Sequence, residues 1–571
     1  MRSIPVQFTG ERAGEGPLTL GQLNIYTWLI EAPDHFYATL CVELPVPAAV
    51  SVDDVAGAVA ALIARHESLR TSYLPGAPGA PPRQRVAASG VQLLEVCSLG
   101  PGQWGPQDRA AVTEALIRRL RESPDPVRRP LRIAVAVAPD AGDRVIACAA
   151  GFSHVAVDQG AIEVLKHDFA DLLRDPKRPA ARPGHQPLDQ AELEATPVER
   201  RRADAALAYL QEQTWRIPRY LYALPGARAS GESLAVELSS VAAAMAVRQV
   251  AARTRTSRSA IVLAAICAVI ARRANYQELI LTLSSSDRFE RHLVNYVGTL
   301  AGSSLATVET SGGSFDQLAR HTWTAVMEAS RHARYANVKR EVMDRLIEHE
   351  RGLLRLNYES FFNNLVPESW SALTAGVGFQ PEEIDAALAR TELRWRPTQV
   401  WGTPIQFTLN QVDGCLRLDA WAVDAGRVPR AEMESLLLAV ERLLVAAAHG
   451  DVPAARMPEI IGLEPIAATS TRILVDHCWV DVADVQRMLD EALAPAIARV
   501  FPSVDGQPLV AHLTTTDAVH TPEQAHARCM TALATHLTAI TPCHYVICPT
   551  APPDPADPAA WPPPLAAGTG R

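Results

Sequence analysis

Residues 144–160 read RVIACAAGFSHVAVDQG. The apolar run up to Phe152 predicts a buried strand, and Ser153-His154 breaks it into a polar loop. Asp158 follows His154 by four residues, and Gly160 opens a helix with Ile162, Leu165, Phe169, Leu172 and Leu173 on one stripe. Histidine is the side chain whose ordinary pKa suits proton transfer near neutrality. A helix start also brings unpaired backbone N–H groups, which favour a developing negative charge. On its own, a histidine near an aspartate is more often a packed structural group than a base.

Around this stretch, strands and helices alternate. Strands are predicted at 36–44, 84–96, 130–138 and 143–150, with a helix after Ser51, whose capping-box partner is Asp54. DPKRPAARPGHQPLDQ (175–190) is rich in proline and charge and predicts a linker. A second block has helices predicted at 198–213, 240–253, 257–273, 314–331 and 429–449. It also has a hairpin in which Ile405, Phe407 and Leu409, then Leu416 and Leu418, flank Asp413-Gly414. Residues 472–549 predict strand, helix, strand, helix, strand. The proline-rich stretch after Thr550 is expected to be disordered.

Composition narrows the classes of function. The 571 residues are 48% hydrophobic and 20% charged, which suits large buried cores. A net charge of −9 gives no electrostatic footprint for nucleic acid. Only Lys166, Lys177 and Lys339 are lysines, so arginine carries the basic charge. The most apolar run, 260–271, is too short to span a bilayer, which needs about 20 residues. Nine scattered cysteines without a CxxC pair point to reduced thiols rather than a disulfide frame or zinc site, and a cytoplasmic location is expected. No P-loop, GxGxxG, GxSxG or metal-ligand spacing is present, so no bound cofactor or metal is expected.

Four segments then carry a family resemblance. Ser153-His154 through Gly160 is similar to the HHxxxDG motif of nonribosomal peptide synthetase condensation domains, which have the chloramphenicol-acetyltransferase-like fold. Arg65-His66-Glu67-Ser68-Leu69-Arg70-Thr71 resembles that family's RHExLRT motif. Leu20-Gly21-Gln22-Leu23 with Trp28 resembles its N-terminal segment, and Arg288 with Gly298 its GR…GxFVNT segment. The resemblance covers about residues 15–453.

It implies an α/β (α+β) fold of two such lobes in a V-shaped pseudo-dimer with a cleft between them. The expected division is 1–175 and 196–455 for the lobes, 176–195 for the linker, 456–550 for a small α+β unit and 551–571 for the tail. The small unit faintly resembles the C-terminal subdomain of adenylate-forming enzymes, without their catalytic lysine.

Carried over by residue, His154 takes the catalytic position, while Asp158 and Arg288 form a structural pair. His66 is expected to be structural, and His167 and Asp168 to face solvent. Three departures stand out. Ser153 replaces the first motif histidine, Gln159 replaces the glycine that reappears as Gly160, and Gly302-Ser303 replaces Asn-Thr. Gln159 is expected either to narrow the channel or to offer a hydrogen bond to an unusual acceptor.

The implied function is that of a stand-alone condensation enzyme of natural-product assembly. It would form an amide or ester between an amine or alcohol and an acyl thioester on the phosphopantetheine arm of a separate acyl or peptidyl carrier protein. No nucleic-acid or membrane partner is implied. The alternatives are a non-catalytic module that recruits a carrier or tailoring enzyme, and a cyclising, epimerising or hydrolysing variant on the same scaffold.

Overall fold

A computed structural model describes residues 2–31, 38–77, 79–100, 108–122, 125–138, 143–175, 184–222, 224, 230–286, 288–354, 361–366, 378–396, 405–466, 472–504 and 507–571. The chain forms two compact units. The first is 1–206 with 285–302 and 330–338, and the second is 207–284, 303–329 and 339–571. Two segments of the expected second lobe, 285–302 with Arg288 and 330–338, therefore belong to the first unit.

The strands of the first unit are β1 (Arg2–Thr9), β2 (Gly14–Pro17), β3 (Thr39–Leu44), β4 (Thr71–Leu74), β5 (Arg83–Val86), β6 (Ser89–Ser98), β7 (Leu131–Val137) and β8 (Val145–Ser153). Its helices are α1 (Leu20–Glu31), α2 (Val52–Arg65), α3 (Arg109–Arg121), α4 (Gln159–Arg174) and α5 (Pro187–Glu194). The main sheet runs β1-β6-β7-β8-β3, and β2-β5-β4 make a smaller one.

Every residue of β8 is buried, because both faces of this strand are covered. Cys148, Ala150 and Phe152 join the core with Val55, Val59 and Leu62 of α2 and Ile162, Leu165 and Phe169 of α4. Ala147 and Ala149 face Leu116 and Leu120 of α3 on the other side. Small residues there let α3 lie close to the sheet: a β-carbon at Gly151 would already stand 3.2 Å from Thr39 and 3.5 Å from Leu120. The capping box of α2 forms as expected, Ser51 Oγ accepting from Asp54 N and the Asp54 carboxylate accepting from Ser51 N.

In chain order the second unit continues with α6 (Pro197–Thr214, which begins in the first unit), β9 (Leu234–Ser240), α7 (Val241–Thr254), α8 (Arg258–Ala274), β10 (Glu278–Ser286), β11 (Ala301–Glu309), α9 (Phe315–Arg331) and α10 (Asn337–Arg351). Then come β12 (Phe362–Asn364), α11 (Pro381–Ala387), β13 (Glu392–Arg396), β14 (Ile405–Gln411), β15 (Leu416–Ala422), α12 (Arg430–His449) and α13 (Met457–Ile461). The sheet order is β11-β10-β12-β14-β15-β9-β13, with α7, α8 and α12 in one apolar core. Ser284 to Ser286 form the end of β10. Among the described residues no single helix is long and apolar enough to cross a membrane; α7 and α8 pass such a test only jointly, and they are bent by 106°.

The last hundred residues add β16 (Arg472–Val475), β17 (Cys478–Asp481), α14 (Val482–Ala492), β18 (Ala498–Val504), β19 (Gln507–Thr514), α15 (Pro522–Ala532), β20 (His544–Cys548) and β21 (Ala566–Gly568). They belong to the second unit. Buried Arg219 holds them: Nη1 donates to the carbonyls of His536 and Ala539 at 2.7 and 2.6 Å, Nη2 to Leu533 at 2.5 Å, and its backbone N–H to Cys478 Sγ at 3.2 Å. Arg351, also buried, grips Asp476 in the β16–β17 turn at 2.7 Å. Both central residues of that turn, Asp476 and His477, have positive φ, as a tight hairpin requires.

Two expected segment boundaries need correction. The tail after Thr550 is folded, not disordered: β21 pairs antiparallel with β20, and Trp561 is buried against His512 and Phe501. A proline-rich segment without its own core gains order when the short Ala-Ala-Gly strand at its end closes an open sheet edge. In the expected linker, 176–183 lie outside the described residues, and 187–194 form α5, whose Pro187 takes the N1 position that proline favours.

Candidate functional site

The sharp exit of the chain from β8 sets the site. Ser153 N–H donates to Pro130 O at 2.9 Å and His154 N–H to Ala38 O at 2.8 Å, so the segments on either side of β8 pin the loop through backbone alone. Ala156 and Val157 N–H both donate to Ser153 O at 3.0 Å, which closes a tight turn. Ser153 Oγ accepts from Val155 N at 3.3 Å, so the serine braces the loop from within.

His154 Nδ1 lies 3.0 Å from Val157 O. A carbonyl can only accept, so Nδ1 carries the hydrogen and Nε2 of the neutral ring holds the basic lone pair. Nε2 has no partner among the described residues and is not sealed from solvent. Val157 thereby fixes which nitrogen can act as base.

Asp158 caps α4 and is almost fully buried. Its Oδ1 accepts from Ala161 N at 2.8 Å and from Arg288 Nη2 at 2.5 Å, and its Oδ2 from Leu300 N at 2.9 Å. Arg288 further donates to the carbonyls of Leu293, Tyr296 and Gly298, at 3.1, 2.6 and 3.2 Å. The pair is thus inside a network that satisfies the carboxylate, without which burying it would be heavily unfavourable. Every hydrogen bond of Asp158 goes to the frame.

The two displaced motif positions have separate tasks. Gly160 seats the guanidinium: a β-carbon there would lie 2.3 Å from Arg288 Nε. Gln159 is turned along α4, its Nε2 donating to Glu163 Oε1 at 3.2 Å, and Lys166 Nζ reaches the same oxygen at 2.9 Å. At the other departure, a β-carbon on Gly302 would meet Ala333 O at 2.5 Å, and Ser303 Oγ accepts from Arg340 Nη1 at 3.0 Å.

Residues 65–71 are a scaffold. His66 Nε2 and Arg65 Nη1 converge on Asp168 Oδ2 at 2.8 and 3.0 Å, so Asp168 does not face solvent as expected. Burial pushes the His66 imidazole below its usual range. Ser68 Oγ donates to Val297 O at 2.5 Å, and Arg70 Nη1 to the carbonyls of Arg12 and Ala87 at 2.6 Å. Trp28 of the N-terminal segment is 40% exposed. Among the described residues no group of three or more His, Cys, Asp or Glu side chains is placed to hold a metal ion.

This architecture has known counterparts. The condensation domain of the monacolin K polyketide synthase MokA matches with a TM-score of 0.58 at 14% identity, over 77% of this chain and 98% of that one. The chain has the condensation-domain fold. A structure of condensation domain-mediated chain release from the enacyloxin polyketide synthase matches this condensation fold at 0.57 and 18% identity, over 77% and 83% of the two chains. The X-domain from teicoplanin biosynthesis matches at 0.53 and 18%, over 77% and 97%. No family model and no curated protein matches the sequence.

Of the residues singled out from sequence, the structure brings Ser153, His154, Asp158, Gln159, Gly160 and Arg288 into one loop and its clamp. It adds Leu300, Glu163 and the carbonyls of Ala38, Pro130 and Val157. Backbone partners have no side-chain signature, so only Glu163, one helical turn after Gln159, could have been found by spacing.

Proposed function

We propose that the chain is a condensation-type acyltransferase of natural-product assembly. It would join an amine or alcohol to an acyl thioester presented on the phosphopantetheine arm of a carrier protein. The observation that carries this reading is the Val157-fixed His154 ring, with Nε2 open on a loop clamped by Asp158 and Arg288. The nucleophile's N–H or O–H hydrogen passes to Nε2 as the new C–N or C–O bond forms. The C–S bond breaks, and the proton leaves with the thiolate as a thiol. The N–H groups of Gln159 and Gly160 lie in the first turn of α4, whose positive end favours the oxyanion. Holding both reactants in line supplies much of the acceleration.

The test is a mass-spectrometric assay with acyl-loaded carrier proteins and a panel of amines and alcohols. His154→Ala should lower transfer by about 10²–10⁴-fold, the range of a lost general base. Transfer that survives the substitution would move the chemistry elsewhere. Carrier binding without turnover, equal in both proteins, would favour the recruiting role. Loss of the acyl group to water alone would mean hydrolysis.

A further inference from the structure

The first turn of α1 is anchored from another helix. Thr19 and Gln22 close a capping box there, Thr19 Oγ1 accepting from Gln22 N at 3.1 Å and Gln22 Oε1 from Thr19 N at 2.9 Å. That leaves the Leu20 N–H, and Oε2 of Glu194, the last residue of α5, accepts it at 2.6 Å. A carboxylate is favoured at the positive end of a helix. Glu194 Oε1 accepts from Gln190 Nε2 at 2.8 Å, and Gln190 Oε1 lies 2.8 Å from His185 Nε2. Both Glu194 oxygens thus face N–H donors, a pattern that an ionised carboxylate satisfies in full and a protonated one does not. The charges acting on it from other elements are Glu199 on α6 and Arg334, whose Nη1 lies 3.3 Å from Glu199 and 3.8 Å from Glu290. Tyr296 also senses its charge, and the His292 ring packs on His185 with centroids 4.6 Å apart. Desolvation outweighs the two donors and Arg334, and pushes the Glu194 carboxyl up to about 7.

The same turn of α1 seats against the stretch that holds the His154 loop. A β-carbon on Gly21 would lie 2.3 Å from Thr299 O and 3.1 Å from Leu300 Cα, so the two backbones touch. The Leu300 N–H in turn donates to Asp158 Oδ2 at 2.9 Å. A cavity of about 10 Å³ at this junction, lined by Leu20, Gly21, Glu194 and Leu300 among others, has room for one water at most. We infer that Glu194 is a positioning residue for the His154 loop, acting through the first turn of α1 and Thr299-Leu300 on Asp158, and that its ionised form is the one that holds. Protonation turns one of its oxygens into a hydroxyl facing a donor, which frees the start of α1 and slackens the contact under Leu300. The inference rests on the proposed condensation chemistry and adds a pH control to that site.

The experiment uses the full chain with the acyl-loaded carrier and the amine or alcohol that turn over fastest. It compares wild type with Glu194→Gln, which keeps the shape and cannot ionise, between about pH 5.5 and about pH 8.5. Wild type should be about fivefold faster in kcat at the alkaline end, the size of coupling that such contact chains carry, and the ratio should fall to about one at the acid end. The His154 titration is common to both proteins and cancels in the ratio. A ratio that stays constant, or rises toward acid, overturns the inference, because a merely structural loss does not follow pH in this way. Hydrogen exchange of wild type, corrected for its intrinsic pH dependence, needs no variant: protection of Leu20 and Leu300 should fall together toward acid pH. Protection lost at Leu20 alone, or at neither, overturns it too. If wild type transfers to no nucleophile at any pH, the condensation reading falls, and the Leu300 exchange decides the coupling by itself.

Discussion

In the loop 153–160 the polar groups hold one another and leave His154 Nε2 without a hydrogen-bond partner among the described residues. In the segment 472–571 the cation that does most to hold it, Arg219, is 2% exposed and donates only to protein atoms. Both regions bury charge, one to present a lone pair and the other to fasten chain to chain. Burial alone therefore does not mark a functional site.

The largest effect expected from that contrast is at Arg219. Arg219→Ala strands the carbonyls of Leu533, His536 and Ala539 in the interior. At roughly 1–3 kcal/mol for each stranded group, partly relieved by entering water, the loss should be about 5 kcal/mol. Denaturant unfolding and limited proteolysis of the 472–571 segment would read it, and an unchanged midpoint would show that the arginine is not the fastener.

Arg288→Ala should come next, at about 3 kcal/mol, because Asp158 keeps the Ala161 and Leu300 N–H groups but loses its counter-charge. Here acyl transfer should fall along with stability, since the same clamp holds the His154 loop. Stability lost with transfer retained would separate the frame from the chemistry.

His526 sharpens the contrast through pH. It is buried beside Tyr545, His349 and Arg571, and burial together with the nearby cation pushes its imidazole down to about 4. Below the ordinary histidine pKa of about 6.5 the unfolded chain binds a proton that the folded chain refuses. The stability this group contributes is therefore full above about 6.5 and is lost as pH falls toward 4, by about 2–3 kcal/mol. His526→Gln should flatten that part of the stability–pH profile; an identical slope in both proteins would contradict the assignment.

Gly160→Ala is the smallest of these effects. The new methyl group must displace Arg288 Nε, at about 1–2 kcal/mol. A neutral result by thermal unfolding would mean that the guanidinium has room to shift.

How much of this was legible in the sequence follows from the kind of signal each part has. Arg65–Thr71 and the 153–160 loop are runs of side chains, so their resemblance to known motifs could be read directly. Asp158 meeting Arg288, 130 residues away, was legible only through that resemblance. The folding of the tail was missed because its order comes from an open strand edge and one buried Trp561, while local composition argues for disorder. Asp168 was misplaced because its partners, Arg65 and His66, are about a hundred residues earlier in the chain. Of Gln159 the structure shows only the bond to Glu163, one helical turn on, which spacing along α4 could have suggested.

The central claim is that Val157 sets the His154 tautomer and leaves Nε2 as the open base. Long-range ¹H–¹⁵N correlation on ¹⁵N-histidine-labelled protein tests this most directly, with His154→Ala used to assign the signal and the spectrum taken where the ring is neutral. The account predicts a protonated Nδ1 and an unprotonated Nε2. A hydrogen on Nε2 and a bare Nδ1 would contradict it, because the loop would then have no oriented lone pair at His154 to offer a nucleophile.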